Sequence, residues 1–201
     1  MSEAGSWTDE ELARQSQAGS LRAFDELVSR YESRVYAFAL NFCRSDADAR
    51  DVTQETFVRA FQALDRFDAR AALAPWLFAI ARRKSIDLLR AKSRRQGQTA
   101  EENFELDGND PAVLLERREE AENLWVLARN CLPVTQYQAL WLRYAQEMSV
   151  AQIAVALGKT RAHVKVMLLR ARRVLARELD GAKNRGRCSL GAAIRRPAIA
   201  G

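Results

Sequence analysis

Apolar residues recur along this chain at steps of three and four, and that spacing admits little besides packed α-helices. Leu21, Phe24, Leu27, Val28 and Tyr31 form one stripe, continued by Val35, Phe38, Ala39 and Phe42. Phe57, Ala60, Phe61 and Leu64 form the next, on what is expected to be the core side of its helix, and Leu77, Ile80, Ala81, Ile86 and Leu89 form a third. Side chains at such steps share one helix face, whereas a half-buried strand requires strict alternation. With 9 glycines and 4 prolines in 201 residues, turn formers are too scarce for a β architecture. Ser45 and Asp46 interrupt the pattern and offer a helix N-cap, while Pro75 is placed to begin a later helix. Residues 8–95 therefore predict a four-helix unit.

The stretch 93–112 (SRRQGQTAEENFELDGNDPA) is polar, aperiodic and carries Gly97 and Gly108, the composition of a linker. The fold class is expected to be all-α: two small helical domains, 8–95 and 113–179, joined by a flexible linker at 96–112. The Gly/Ala/Arg-biased segment 180–201 is expected to be a disordered tail. A flexible linker of about 20 residues averages about 25 Å end to end. That reach lets the domains either separate or fold together, and a compact arrangement is expected for the free chain.

Charge narrows the partners. The formal net charge is +6, and its distribution is uneven. Residues 82–95 hold seven Lys or Arg against Asp87 alone, and residues 158–177 hold seven with no acid. The intervening Glu101–Asp110 run is acidic. Two basic helical segments about an acidic spacer fit two anchors on one nucleic acid. Cys43, Cys131 and Cys188 form no CxxC pair, and His163 is the one histidine, so no metal site is expected. There is no phosphate loop and no dinucleotide loop, and Glu101 and Glu102 fall in the linker, where nothing would bury them. Neither an enzyme nor a cofactor is expected. The polar, acidic N-terminus is unlike a signal peptide, and no apolar run approaches the roughly 20 residues of a membrane span. A cytoplasmic protein without membrane insertion is the expectation.

The most specific local pattern is MSVAQIAVALGKTRAHVKVMLLRARRVL at 148–175. Ser149 sits at an N-cap position, and Ile153, Ala154 and Leu157 give a short apolar face. Gly158 falls where a left-handed residue closes a helix. Thr160 caps a second helix buried through Val164, Leu168, Ala171 and Leu175. A short helix, a glycine turn and a basic second helix match a DNA-reading helix-turn-helix. Arg161, Lys165, Arg170, Arg172 and Arg173 then supply phosphate and base contacts, and His163 is a surface residue of that helix. Farther upstream, Asp48, Asp51 and Glu55 share a helix face with Gln54 beside it, an acidic surface suited to a basic partner helix. Trp76, flanked by Leu77 and Ile80, is expected in the core.

These segments together resemble the extracytoplasmic-function sigma factors, the compact members of the sigma-70 family, over about residues 8–178. Phe24-Asp25-Glu26-Leu27-Val28 with Tyr31 resembles the first conserved segment of that family's domain two, and Asp48 through Phe57 its polymerase-docking segment. Phe67 through Trp76-Leu77, Ile80-Ala81-Arg82 and Ile86 through Arg90 resemble the part that opens the −10 element. Leu132-Pro133 through Arg172 resembles domain four, which binds the −35 element. The resemblance implies an alternative sigma factor that directs core RNA polymerase to promoters. It implies docking on the β′ clamp through Asp48, Asp51, Gln54 and Glu55, and a contact with the β flap. It places a flipped −10 base at the loop Asp68–Ala74, with Asp68, Arg70, Arg82, Arg83, Lys84 and Arg90 on the opened strand. Thr160, Arg161, Lys165, Leu169, Arg170 and Arg173 become the −35 contacts. An anti-sigma factor, in one form a one-span membrane protein, is implied to hold the chain inactive until a stress signal. Three departures stand out, one being that the tail beyond Asp180 has no counterpart in a minimal relative. Arg83 replaces a frequent asparagine, and Val166-Met167 replace a frequent Ser-Arg pair in the reading helix.

Two other readings compete. One is a helix-turn-helix regulator whose N-terminal bundle senses a ligand or dimerises. The other is a helical adaptor that binds acidic proteins. Transcription with purified core polymerase separates all three.

Overall fold

The structure, a computed structural model, describes residues 7–95 and 119–193, with side chains over 7–94 and 124–180. Its described elements in the first half are α1 (Asp9–Gln17), α2 (Leu21–Cys43), α3 (Asp46–Ala63), a 3-10 turn at Leu64–Arg66, and α4 (Leu73–Arg95). The second half holds α5 (Glu119–Cys131), α6 (Val134–Tyr144), α7 (Val150–Leu157) and α8 (Arg161–Ala193). Among the described residues there is no strand. The all-α expectation is met.

Local chemistry sets the helix starts. Thr8 and Glu11 form a reciprocal capping box at α1, satisfying two backbone donors that the first turn would orphan. Ser45 caps α3, accepting the Asp48 N–H. Pro75 lies in the first turn of α4, where its missing N–H leaves no intrahelical bond unmade. Gln17 donates to the carbonyls of Leu64 at 2.8 Å and Phe67 at 2.7 Å, which ties the 3-10 turn and the loop after it to α1. Leu27, Val35, Phe38, Phe57, Leu77 and Phe78 fill the first bundle. Tyr31 is buried there as well, and its hydroxyl donates to Asp9. Burial and that carboxylate both push the Tyr31 phenol above its ordinary range.

The second bundle is built on the helix-turn-helix. Ser149 and Gln152 form a second capping box, at α7. Gly158 closes α7 at φ 59°, a left-handed conformation that glycine adopts without Cβ strain. Leu142, Ile153, Leu157, Val164, Leu168 and Leu175 make its core.

The bundles are not separate. Trp141 of α6 sits 5.8 Å, ring to ring, from both Phe38 of α2 and Phe78 of α4, and those two phenyl rings are 5.1 Å apart. Arg129 donates to the Asn41 side chain at 2.5 Å, Arg34 donates to Gln146, and α7 packs on α4. One continuous hydrophobic cluster therefore runs through both bundles. The compact arrangement expected for the free chain is what the structure has.

Two expectations are corrected. The tail expected to be disordered from residue 180 is helical as far as Ala193, because α8 continues through Gly181 and Gly186. The intervening Ala, Lys, Arg and Leu residues are good helix formers, which offset glycines costing about 1 kcal/mol each. Phe61, expected on the core side of its helix, is 47% exposed: Ala60 and Leu64 take the buried positions on either side, and its ring meets Phe24 of α2 at the surface. The linker at 96–112, its Glu101–Asp110 run, residues 113–118 and residues 194–201 lie outside the described residues.

Two measurements test this architecture. A double-mutant cycle on Phe78→Ala and Trp141→Ala, read by chemical denaturation, is expected to return a coupling of about 0.5–1.5 kcal/mol. The Trp141→Ala chain is also expected to show a larger hydrodynamic radius; a zero coupling with unchanged radius contradicts the aromatic seam. Gly158→Ala is expected to destabilise the protein by about 1 kcal/mol, through backbone strain alone, because a Cβ there meets nothing within 4 Å. Gly158→Asn should lose less.

Candidate functional site

Helix α8 presents one face to the core and the opposite face to solvent. Val164, Met167, Leu168, Ala171 and Leu175 are buried. Thr160 caps the helix, its hydroxyl accepting the His163 N–H at 3.2 Å. Thr160, Arg161, Lys165, Leu169, Arg170 and Arg173, the −35 residues expected from sequence, are all exposed. The helix brings them onto one basic surface. His163 is exposed as expected, and Arg172 folds back to donate to the Leu168 carbonyl at 3.2 Å. The Val166-Met167 pair splits: Met167 is 5% exposed and belongs to the core, whereas Val166 is 45% exposed.

The acidic face of α3 divides differently from the sequence expectation. Asp51 and Gln54 are exposed. Asp48 is buried and accepts from Lys92, and Glu55 accepts from Lys84 at 2.5 Å. The cause is the antiparallel run of α4, which places Lys84 and Lys92 two turns apart, matching the step from Asp48 to Glu55. The Lys84 ammonium holds the Glu55 carboxyl below its ordinary value. Of the four expected docking residues, two are therefore open and two are ion-paired within the fold.

Beside that face lies a surface that sequence reasoning missed. A groove of about 930 Å³ opens between α2 and α3, lined by Phe24, Val28, Tyr36, Phe57, Val58 and Phe61. Phe24 and Phe61 meet edge to face at 5.0 Å. Gln54 stands on the groove wall. The available signal was Val58 and Phe61 at i and i+3, a second apolar line on a helix whose core line was already filled.

The segment expected to handle the −10 element is also split. The Asp68 carboxylate accepts the Arg70 N–H at 3.0 Å, and its carbonyl accepts the Ala71 N–H at 2.8 Å, which makes a tight turn. Trp76 is half-buried and stacks on Phe67 at 4.8 Å, in keeping with the expected core role. Arg83 and Arg90 are exposed, and Lys84 is held by Glu55. Arg82 is half-buried one turn beyond Phe78, and its Nε is buried without a hydrogen-bond partner. Burial, and secondarily the charge of Arg90, pushes the Arg82 guanidinium below its ordinary value. A cleft of about 360 Å³ separates this segment from α7, lined among others by Asp68, Trp76, Gln152 and Arg161. Asp68 and Arg161, expected to serve different promoter elements, thus line the same cleft.

Among the described residues no group of His, Cys, Asp and Glu is placed to hold a metal ion, and no helix is long and apolar enough to cross a membrane.

Comparison with known proteins agrees with this geometry. The family Sigma-70 region 2 matches residues 27–95, and Sigma-70, region 4 matches residues 127–175. The RNA polymerase sigma factor NccH of Alcaligenes xylosoxydans xylosoxydans is 33% identical over 181 residues, covering 87% of this chain and 96% of its own. The ECF RNA polymerase sigma-E factor of Salmonella typhimurium is 30% identical over 178 residues, covering 84% of this chain and 92% of its own. Among solved structures, CnrH in complex with the cytosolic domain of CnrY superposes with a TM-score of 0.61 at 28% identity, covering 86% of this chain and 97% of that one. The two matched regions, in this order and joined in one helical chain, place the protein in the sigma-70 family, among the extracytoplasmic-function sigma factors.

Proposed function

We propose that this chain is the promoter-recognition subunit of an RNA polymerase, acting in the cytoplasm by binding rather than by catalysis. The observation that carries the reading is the solvent face of α8, a helix-turn-helix second helix whose exposed charges over its first three turns are all basic. Residues 8–95 serve as the polymerase-docking and −10 unit, 96–112 as a tether, and 113–179 as the −35 unit. Asp51 and Gln54, being open, make the first contact with the polymerase β′ clamp. Glu55 and Asp48 join only if Lys84 and Lys92 release them. The second bundle, by the same reading, approaches the β flap.

The −10 strand is gripped by Arg70, Arg83 and Arg90, with Asp68 shaping the loop that receives a flipped base. Arg82 joins them only when the seam at Trp141 parts. The closed chain has α7 against α4 and a narrow cleft over the Asp68 loop. That conformation keeps the −10 surface partly covered, so polymerase and promoter must draw the bundles apart. A protein inhibitor would favour the closed or masked form, as an anti-sigma factor does; the groove between α2 and α3 is its natural seat beside Gln54. CnrH is known in complex with the cytosolic domain of CnrY, and the same type of partner fits here.

Reconstitution with purified core polymerase tests the reading: the chain is expected to confer promoter-dependent initiation that core alone lacks. Charge reversal at Asp51 is expected to weaken core binding several-fold with helicity unchanged. Asp48→Asn, by contrast, should lower stability while sparing docking, because its carboxylate is already held by Lys92. Equal core affinity for Asp51→Lys and the native chain removes this helix from docking. Lys165→Ala and Arg170→Ala should each weaken −35 binding by about 1–3 kcal/mol wherever the contact is bidentate.

A further inference from the structure

The outermost ridge of the reading helix is apolar over its first two turns and ends on a cation. Ala162, Val166, Leu169 and Arg173 follow one another at i, i+4, i+7 and i+11, one line along α8, and all four are exposed. That line lies opposite the buried set Val164, Met167, Leu168 and Ala171. Val166 and Leu169 are each 45% exposed and adjacent on the helix surface, so a partner seated on this ridge meets aliphatic side chains there. Arg161, Lys165 and Arg172 lie on one flank of the line, and Arg170 on the other. When such a helix enters a major groove, its central ridge goes deepest, toward the base edges. The flanking cations are left to the phosphate walls.

The chemistry of the groove then limits what an aliphatic ridge can recognise. The base edges there present donors and acceptors, and the one methyl group among them is the C5-methyl of thymine. A valine or leucine side chain set against a donor or acceptor leaves that group without its water and without a partner, which is unfavourable. Set against a methyl group, it buries apolar surface on both sides. We infer that Val166 and Leu169 read thymine methyl groups in the −35 element, making an apolar contact the centre of this protein's duplex specificity. Three residues of helix advance about 4.5 Å, little more than one base-pair step, so the two thymines belong to neighbouring pairs. The same ridge could serve an inhibitor helix instead. The unbroken basic flanks favour a polyanion, and no acidic residue lies between Gly158 and Arg177. This inference rests on the reading of α8 as the promoter-facing helix.

The test uses holoenzyme reconstituted from the full chain and a library of duplexes randomised across the −35 element. Selection is expected to enrich thymine at two neighbouring positions. Replacing either thymine by deoxyuridine removes one methyl group and nothing else, and is expected to weaken binding about four-fold, the weight of one buried methyl. Val166→Ala and Leu169→Ala, both at exposed positions that leave the core intact, should each lose the preference for thymine over deoxyuridine at one position. Lys165→Ala should weaken binding to both duplexes alike. A selected element without thymine, or equal affinity for thymine and deoxyuridine duplexes, overturns the inference while leaving the sigma reading standing. Equal affinities together with an inhibitor peptide that binds the native chain but not Val166→Ala would assign the ridge to protein docking. Failure of the holoenzyme to select any −35 sequence overturns both readings.

Discussion

The indole of Trp141, held between Phe38 and Phe78, is the contact on which the closed shape of this molecule depends. Each bundle alone has a small core, and small cores are marginal. Joining them through one aromatic cluster turns two modest cores into a single apolar network. The polar bonds at the same boundary, Arg129 to Asn41 and Arg34 to Gln146, fix the relative orientation of the bundles rather than supplying the bulk of the attraction. Aromatic pairs add about 0.5–1.5 kcal/mol beyond the area they bury. At Trp141 two such pairs add to the apolar area that the seam buries.

The chain also carries features that oppose tight packing near that contact. Gln138, one turn before Trp141, is fully buried with neither amide atom hydrogen-bonded. Arg82, one turn past Phe78, buries its Nε without a partner. Each buried unpaired polar group costs about 1–3 kcal/mol, which is of the same order as what the aromatic contacts add. Such costs weaken the boundary and bring it nearer to reversal by a ligand that binds the open form better. To move such an equilibrium from closed to open by a factor of about 10⁴, a partner needs roughly 5.5 kcal/mol of differential binding. That amount is within reach of a polymerase surface combined with a charged DNA strand.

Much of this was legible in the sequence, and the limits have physical causes. The helices α1 to α4, the cap at Ser45, the left-handed Gly158 and the basic face of α8 all follow from local rules: period, capping chemistry and the steric freedom of glycine. What local rules cannot supply is the identity of the neighbour. Asp48, Asp51 and Glu55 look equivalent on a helical wheel. Only the antiparallel course of α4 decides that Lys92 and Lys84 claim the first and third. Met167 and Val166 are adjacent in sequence and similar in polarity, yet the 100° turn between them sends one to the core and the other to solvent. Phe61 sits on a regular stripe, but Ala60 and Leu64 fill the core line on either side of it and leave its ring at the edge, so its exposure could not be read from period alone. Trp141 lies on α6, and nothing in its spacing announces a core that spans both bundles.

The pairing of Glu55 with Lys84 links the two surfaces that the proposed function requires. One residue belongs to the face of α3 proposed to dock and the other to the basic run on α4 proposed to meet the opened strand. Exposed pairs of this kind contribute about 0–1 kcal/mol, so the bond holds the side chains in place without locking them. In the free chain each charge satisfies the other. A basic clamp helix arriving at Glu55 releases Lys84, and a phosphate arriving at Lys84 releases Glu55. Under the proposed function, polymerase docking and strand gripping therefore favour one another through a single ion pair. The coupling is reciprocal, as any linkage between two binding events on one molecule must be. It is also screened by salt, because both groups are in contact with solvent.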